Sequence, residues 1–296
     1  AIAIAAGTTR LQVAWAEGTH IRSAHLEGGS WVQDGGDLEV DVAHSQASGH
    51  YANRLSLAFD GDVPWIAWHE SGALGFAVYA GRWNGAQWVV LGGHVNAAGT
   101  NGSEPQIAIV GGTPYVALIE AAAGSHWQAF VRRWGGSAWE SVGGSLNSVV
   151  AQHADLMSMA IVGGKPTVAF RNVFNGGSYR VFVRQWSGAS WDYLGDPVAG
   201  VPSSGYDLAT HVSIAADGDV PYVSIAEVLS QADNTLRYRV AHYNPHGGFW
   251  KDDIKGPSFL LPQRPQFPEA SAQVIGGRLF HARAESDAFA RILTFE

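Results

Sequence analysis

Hydrophobic residues in this chain come in short runs, not in helical stripes. Residues 106–147 show the pattern best. They hold four apolar runs, at 107–110, 115–119, 128–134 and 139–142, with Gly111-Gly112-Thr113 between the first two and Gly135-Gly136 between the last two. Runs of this length, rich in Val, Ile and aromatics and bounded by glycine, predict strands joined in hairpins.

The unit recurs. Six copies align on their second strand: LQVAWAE at 11–17, PWIAWHE at 64–70, PYVALIE at 114–120, PTVAFRN at 166–172, PYVSIAE at 221–227 and LFHARAE at 279–285, with starts 53, 50, 52, 55 and 58 residues apart. A Gly-bearing turn and a small-apolar strand precede each, and a third strand follows. Third and fourth strands meet at a second signature, aromatic-x-Gly-x-x-Trp. It is clean at Trp83/Trp88, Trp134/Trp139 and Trp186/Trp191, degraded at Leu26/Trp31 and stretched at Tyr243/Trp250. LGG, VGG or LGD follows the three clean pairs, at 91–93, 142–144 and 194–196.

A four-stranded unit of about 50 residues, repeated without helices, predicts an all-β fold: a six-bladed β-propeller of four-stranded antiparallel blades. The expected blades of this single domain are 1–49, 50–101, 102–152, 153–204, 205–263 and 264–296. The sixth copy reaches Phe295-Glu296 before a fourth strand, so a three-stranded last blade is expected, its open edge a place where a partner could add a strand. Second strands carry apolar residues consecutively, as in Val116, Ala117, Leu118, Ile119, which fits a strand buried on both faces. The Trp pairs are expected between blades, each buried indole contributing about 4–6 kcal/mol gross by area.

Composition agrees. Of 296 residues, 46% are hydrophobic and 15% charged, with 37 Gly and 12 Trp, enough for a large core and many turns. A net charge of −8 without a basic cluster argues against a nucleic-acid surface. Absence of cysteine excludes disulfides and thiolate metal sites. No apolar run approaches the roughly 20 residues of a membrane helix. The opening AIAIAAG reads as a strand, too short and unflanked for a signal peptide.

In a propeller blade, loops entering the first strand and leaving the second emerge on one face, the mouth. Second strands end there in Glu17, Glu70, Glu120, Asn172, Glu227 and Glu285. Such carboxylates could encircle a hard cation such as calcium; alternatively, each accepts hydrogen bonds from a neighbouring blade or caps a loop. No other cofactor is expected. Folding each first hairpin about its turn places Glu104 opposite Glu120, Glu269 opposite Glu285, Leu156 opposite Asn172, and Arg54 and His211 near Glu70 and Glu227. Facing carboxylates need a cation, a raised pKa or divergent side chains; the first two are how metal sites and glycosidases are built. Aromatics that break the repeat, Tyr51, Trp68, Phe174, Tyr206 and Phe267, also fall near the mouth. His50, His69, His153, His211, His242 and His246 lack metal-ligand spacing, and no G-x-S-x-G nucleophile motif occurs.

WNGAQWVVLGG, WGGSAWESVGG and WSGASWDYLGD resemble the repeats of secreted bacterial propellers, Trp-rich propeller lectins among them. The resemblance implies a propeller, an extracellular or periplasmic location and a sugar-binding role; the P-x-V-A-x-x-E half of the repeat departs from the lectin pattern. The expected function is thus a non-enzymatic recognition module for a carbohydrate or cell-surface ligand, with Arg54, Trp68, His69, Glu70, Glu104, Arg171, Tyr206, His211 and Phe267 as candidate contacts. A second reading is a glycan hydrolase or lyase using Glu104/Glu120 or Glu269/Glu285, with Arg54 and His211 assisting. A third is an assembly protein pairing through the open sixth blade.

Overall fold

The computed structural model describes residues 2–17, 20–38, 40, 55–72, 75–122, 124–174, 178–196, 200–201, 209–230, 235–255, 259–260, 270–275, 278–286 and 289–295. At 71–72, 174, 178, 210, 228–230, 235–236 and from 254 onward only the backbone is described. The chain forms two compact units, Ala1–Ser145 and Leu146–Glu296.

The first unit holds three sheets. Strands β1 (Ile2–Ala6), β2 (Leu11–Glu17), β3 (His20–Glu27) and β4 (Ser30–Gln33) form the first. Strands β5 (Leu55–Asp60), β6 (Val63–Gly72), β7 (Gly75–Trp83) and β8 (Trp88–Val90) form the second. Strands β9 (Thr100–Val110), β10 (Thr113–Ala122), β11 (Gln128–Trp134) and β12 (Trp139–Ser141) form the third. Each is an antiparallel meander in chain order.

The unbroken apolar runs have a direct cause. Along β6, Ile66 and Trp68 pack with Ala14, Ile21, Leu38 and Tyr79, toward the first sheet, whereas Trp65 and Ala67 pack with Val95, Ile107, Val116 and Leu118, toward the third. Alternate residues of one strand thus enter two different cores. An apolar residue after each glycine turn closes the layer: Leu38 and Val95 are buried and donate their backbone N–H to Ile21 and Val78 carbonyls at 2.9 and 2.8 Å.

The second unit begins with β13 (Ala154–Val162), β14 (Lys165–Phe174), β15 (Ser178–Trp186) and β16 (Trp191–Tyr193). A sheet of β17 (Ala209–Asp217), β18 (Val220–Ser230), β19 (Thr235–Asn244) and β20 (Phe249–Lys255) follows, extended by β21 (Phe259–Leu260) against β19. Its core joins Ala169, Val181 and Val183 to Val212, Val223, Ile225 and Trp250. Strands β22 (Ala270–Ile275), β23 (Arg278–Ser286) and β24 (Phe289–Phe295) make a three-stranded sheet.

The expectation of a six-bladed propeller is therefore corrected. Five sheets, β1–β20, carry the four-stranded antiparallel pattern, and the sixth copy of the repeat does not make a further one. Counting second strands overstated the blade number, because that signature persists where the Trp pair marking a third-to-fourth-strand hairpin is missing.

Indole nitrogens tie neighbouring sheets within each unit. Trp88 Nε1 donates to Ser23 Oγ at 2.8 Å, Trp139 Nε1 to the Leu91 carbonyl at 3.0 Å and Trp250 Nε1 to the Leu194 carbonyl at 2.7 Å. The paired rings meet edge-on or tilted, with centroids 5.7 Å apart for Trp83/Trp88 and 5.4 Å for Trp134/Trp139 and Trp186/Trp191.

Candidate functional site

Where their side chains are described, the carboxylates that end the second strands are scaffold groups. Glu70 is 4% exposed and accepts from Trp68 Nε1 at 2.7 Å and from the Val40 backbone N–H at 2.8 Å. Asn172, fully buried, does the same for a connecting segment in the second unit, accepting from Ser148 N–H and hydroxyl at 3.1 and 2.7 Å. Glu120 and Glu227 are buried and paired with Arg132 and Arg239, each at 2.8 Å. Glu17 meets Arg22 at 2.8 Å in solvent. Among the described residues no group of three or more His, Asp or Glu side chains stands close enough to hold a metal ion.

The facing carboxylates do not form where they can be followed. Gln106 pairs with Ala117 but Ser103 pairs with Ile119, so β9 bulges at Glu104 and Pro105, and Glu120 faces Gly102. Glu104 takes a left-handed φ of 52° there. The same bulge recurs in β13, where Leu156 has φ 50° and Asn172 faces Ala154 instead. In β17 it moves Glu227 opposite Ala209 and His211 opposite Ala226. An unbulged hairpin has no place for the extra residue, and one residue is enough to change every partner beyond it.

Other candidates are dispersed. Trp68 is a core residue, wholly buried and stacked on Tyr79 with centroids 5.9 Å apart, not a mouth aromatic. His69 is buried, edge-on to Phe76 at 6.1 Å. Arg171 grips Asp155, with Nε to Oδ1 at 2.6 Å, donates to the Ala209 carbonyl and lies 4.6 Å over the Tyr179 ring. Arg54, Tyr51, Tyr206, Phe267 and Glu269 lie outside the described residues, as do the side chains of Phe174 and Glu285.

What the structure offers instead is a cavity of about 350 Å³ inside the first unit. One wall is the segment 92–98 that links β8 to β9, and the other is Arg132 with the β11–β12 hairpin, including Ser137, Trp139 and Ser141. Gly92 allows the approach of the two walls: at φ 61°, a Cβ there would sit 2.9 Å from the Trp134 ring. Asn96, buried, fixes the linking segment by accepting from Val78 N–H at 2.9 Å and donating to the Thr100 carbonyl at 2.8 Å. Arg132 lies 5.0 Å over the Phe130 ring and donates through Nη2 to Glu120. Its Nη1 is buried and has no hydrogen-bond partner among the described residues. A signal for this residue was present in the repeat: two places before the first Trp of each clean pair stand Gly81, Arg132 and Arg184, so the copies disagree there. In the second unit Arg184 donates to the Tyr193 hydroxyl and the Trp191 carbonyl.

No protein-family model matches the chain, and no curated protein matches it. Solved structures do resemble it. An alpha-L-arabinanase of Penicillium chrysogenum, complexed with arabinobiose, matches 100% of this chain and 92% of its own at a TM-score of 0.60 and 11% identity. The polysaccharide lyase Uly1 matches 99% of this chain and 76% of its own, with a TM-score of 0.60 and 9% identity. Trypanosoma rangeli sialidase matches 99% of this chain at a TM-score of 0.59 and 10% identity, the chain spanning 54% of its length. At these identities the likeness is one of fold: all-β and propeller-like, built of repeated four-stranded sheets. Among the described residues no helix is long and apolar enough to cross a membrane.

Proposed function

We propose that this protein is glycan-active, a hydrolase or lyase that seats a saccharide in the cavity between residues 92–98 and the β11–β12 hairpin. The carrying observation is the cavity itself: a partly exposed indole, Trp139, stands beside small and polar residues and Arg132. Apolar ring faces of sugars pack on aromatic surfaces while hydroxyls meet polar groups. Support comes from the whole-chain likeness to an arabinanase, a polysaccharide lyase and a sialidase, a fold likeness that carries function only by analogy. The reading includes an extracellular or periplasmic location, where polysaccharides are met.

The test is turnover. Purified protein incubated with arabinan, pectin and sialylated glycans should release new reducing ends, or unsaturated uronates absorbing in the ultraviolet if it is a lyase. No product from any substrate would refute the activity. Saccharide binding without product would favour the second reading, a recognition module like the Trp-rich propeller lectins. One observation speaks for that reading: among the described residues neither Asp nor Glu lines the cavity, and such carboxyl groups are the ones that usually cleave a glycosidic bond.

A further inference from the structure

Resting on the glycan reading, we infer that the cavity takes a saccharide bearing a carboxylate, and takes it best in mild acid, because His94 sets the charge of its wall. The other wall groups leave that task to it. Arg132 and its partner Glu120 are 6% and 5% exposed and joined at 2.8 Å, so their charges cancel in the interior. Arg133 and Glu140, on the same hairpin, pair with each other at 3.0 Å. Both amide ends of Asn96 are engaged within the protein. The indole N–H of Trp139 is spent on the Leu91 carbonyl, so this residue offers ring surface. Ser137 and Ser141 bring neutral hydroxyls, and among the described residues no Asp, Glu or Lys lines the cavity.

His94 differs from these groups in being exposed and uncommitted. It lines the cavity from the 92–98 segment, next to Val95, which is buried and tied to the Val78 carbonyl at 2.8 Å. Its imidazole meets the Tyr79 ring edge-on, with centroids 5.4 Å apart and planes at 84°. That contact holds the ring without using its polar atoms, and neither nitrogen makes a hydrogen bond among the described residues. The charged and titratable groups that share the cavity or pack on His94 are Tyr79 on β7 and Arg132 on β11, with Glu120 on β10 behind the arginine. A tyrosine stays neutral, and an ion pair stays paired, across the pH range in which a histidine gains its proton. The neutral imidazole offers one donor and one acceptor; the protonated ring offers two donors and a positive charge. A sugar carboxylate accepting from that ring forms a charge-assisted bond, roughly twice as strong as a neutral one. The anion favours the protonated form, so its affinity rises as pH falls and its binding takes up a proton. A neutral saccharide, whose hydroxyls suit either form, gains little.

Titration calorimetry on the full chain tests this at about pH 8 and about pH 5.5, either side of the histidine range, at one ionic strength. The probes are oligogalacturonides and galacto-oligosaccharides of equal length. Oligogalacturonide is expected to bind about fivefold tighter or more in acid, and there tighter than the neutral probe, which should change less than about twofold. Buffers of different ionisation heat should show the proton uptake near neutrality. His94→Gln keeps a donor and an acceptor without the charge; with circular dichroism unchanged, it should lose both the acid gain and the proton uptake. His94→Lys is charged at both pH values and should bind oligogalacturonide near pH 8 as tightly as the natural chain does in acid. An acid gain absent from the natural chain or surviving in His94→Gln, or a neutral probe that binds tighter in acid, overturns the inference; binding of either probe leaves the glycan reading standing. If neither probe binds at millimolar concentration at either pH, the glycan reading falls and this inference with it.

Discussion

Glu120 and Arg132 sit four strand positions out of register yet form a buried ion pair at 2.8 Å. Val116 is the direct neighbour of Arg132, and Gln128 that of Glu120, so the arginine stem reaches along the sheet across Phe130. Breaking such a pair strands a charge in the interior. Glu120→Ala is expected to destabilise the first unit by about 3–5 kcal/mol, read from urea midpoints. Glu120→Gln/Arg132→Met, which leaves no unpaired charge, should recover most of that loss. A loss below about 1 kcal/mol in Glu120→Ala would mean the pair is solvated in practice.

Adjacent glycines allow a sharper comparison. Gly92 has φ 61° and a Cβ built on it meets Trp134 at 2.9 Å, whereas a Cβ on Gly93 meets nothing within 4 Å. Gly92→Ala should cost about 1–3 kcal/mol, from left-handed strain and overpacking against the indole. Gly93→Ala should be close to neutral. Equal midpoints for the two variants in thermal or urea unfolding would show that Trp134 gives way freely.

Much of the scaffold was legible in the sequence because it repeats. Glycine turns, the Trp pairs and the two-faced second strands each recur, and a recurring pattern separates packing from chance. The end-of-strand acceptors were legible for the same reason, since Glu70 and Asn172 do one job with different atoms. Two things were not legible. A bulge adds one residue without altering composition, so Glu104 and Leu156 gave no sign that they leave the ladder. Nor could the cavity be read, because its walls come from a loop and a hairpin of successive repeats and consist mostly of Gly, Ala and Ser. The facing of Glu104 and Glu120 was an inference from register alone and failed with it.

Asp62 gives the chain an acid-sensitive tie. It accepts from the Thr9 backbone N–H at 2.7 Å and the Thr9 hydroxyl at 2.8 Å, joining the first turns of two neighbouring sheets. The hydrogen bond from the Thr9 backbone, then that from its hydroxyl, holds this carboxyl below its usual 3.8. A carboxyl with a lowered folded pKa stabilises the fold fully above its unfolded value, and that contribution fades as pH falls through the folded value. Asp62→Asn should therefore be less stable than the natural chain at neutral pH, with the gap closing below about pH 4. Thermal midpoints across pH 2–7 measure it, and a gap that stays constant would sink the idea.

Asn172 shows why the repeat could not supply one residue everywhere. Copies one, two, three, five and six end this strand in Glu, and the fourth ends it in Asn. Its Oδ1 accepts from Ser148, as Glu70 accepts from Val40, but its Nδ2 also donates to the His153 carbonyl at 2.7 Å. A carboxylate cannot make that second bond. Installing the repeat's own residue, Asn172→Glu, removes a bond to the His153 carbonyl, which keeps the Val173 N–H at 2.9 Å, and places an unpaired charge at a fully buried position. The expected loss is at least about 2–3 kcal/mol at neutral pH, partly relieved in acid as the new carboxyl protonates. Asn172→Gln keeps both donor and acceptor and should lose less, by the misfit of one methylene. Unfolding midpoints for both variants at pH 7 and pH 4 separate the cases: if Glu is tolerated as well as Gln at pH 7, the donated bond to His153 is dispensable and the fourth copy's departure from the repeat has no physical cause at this site.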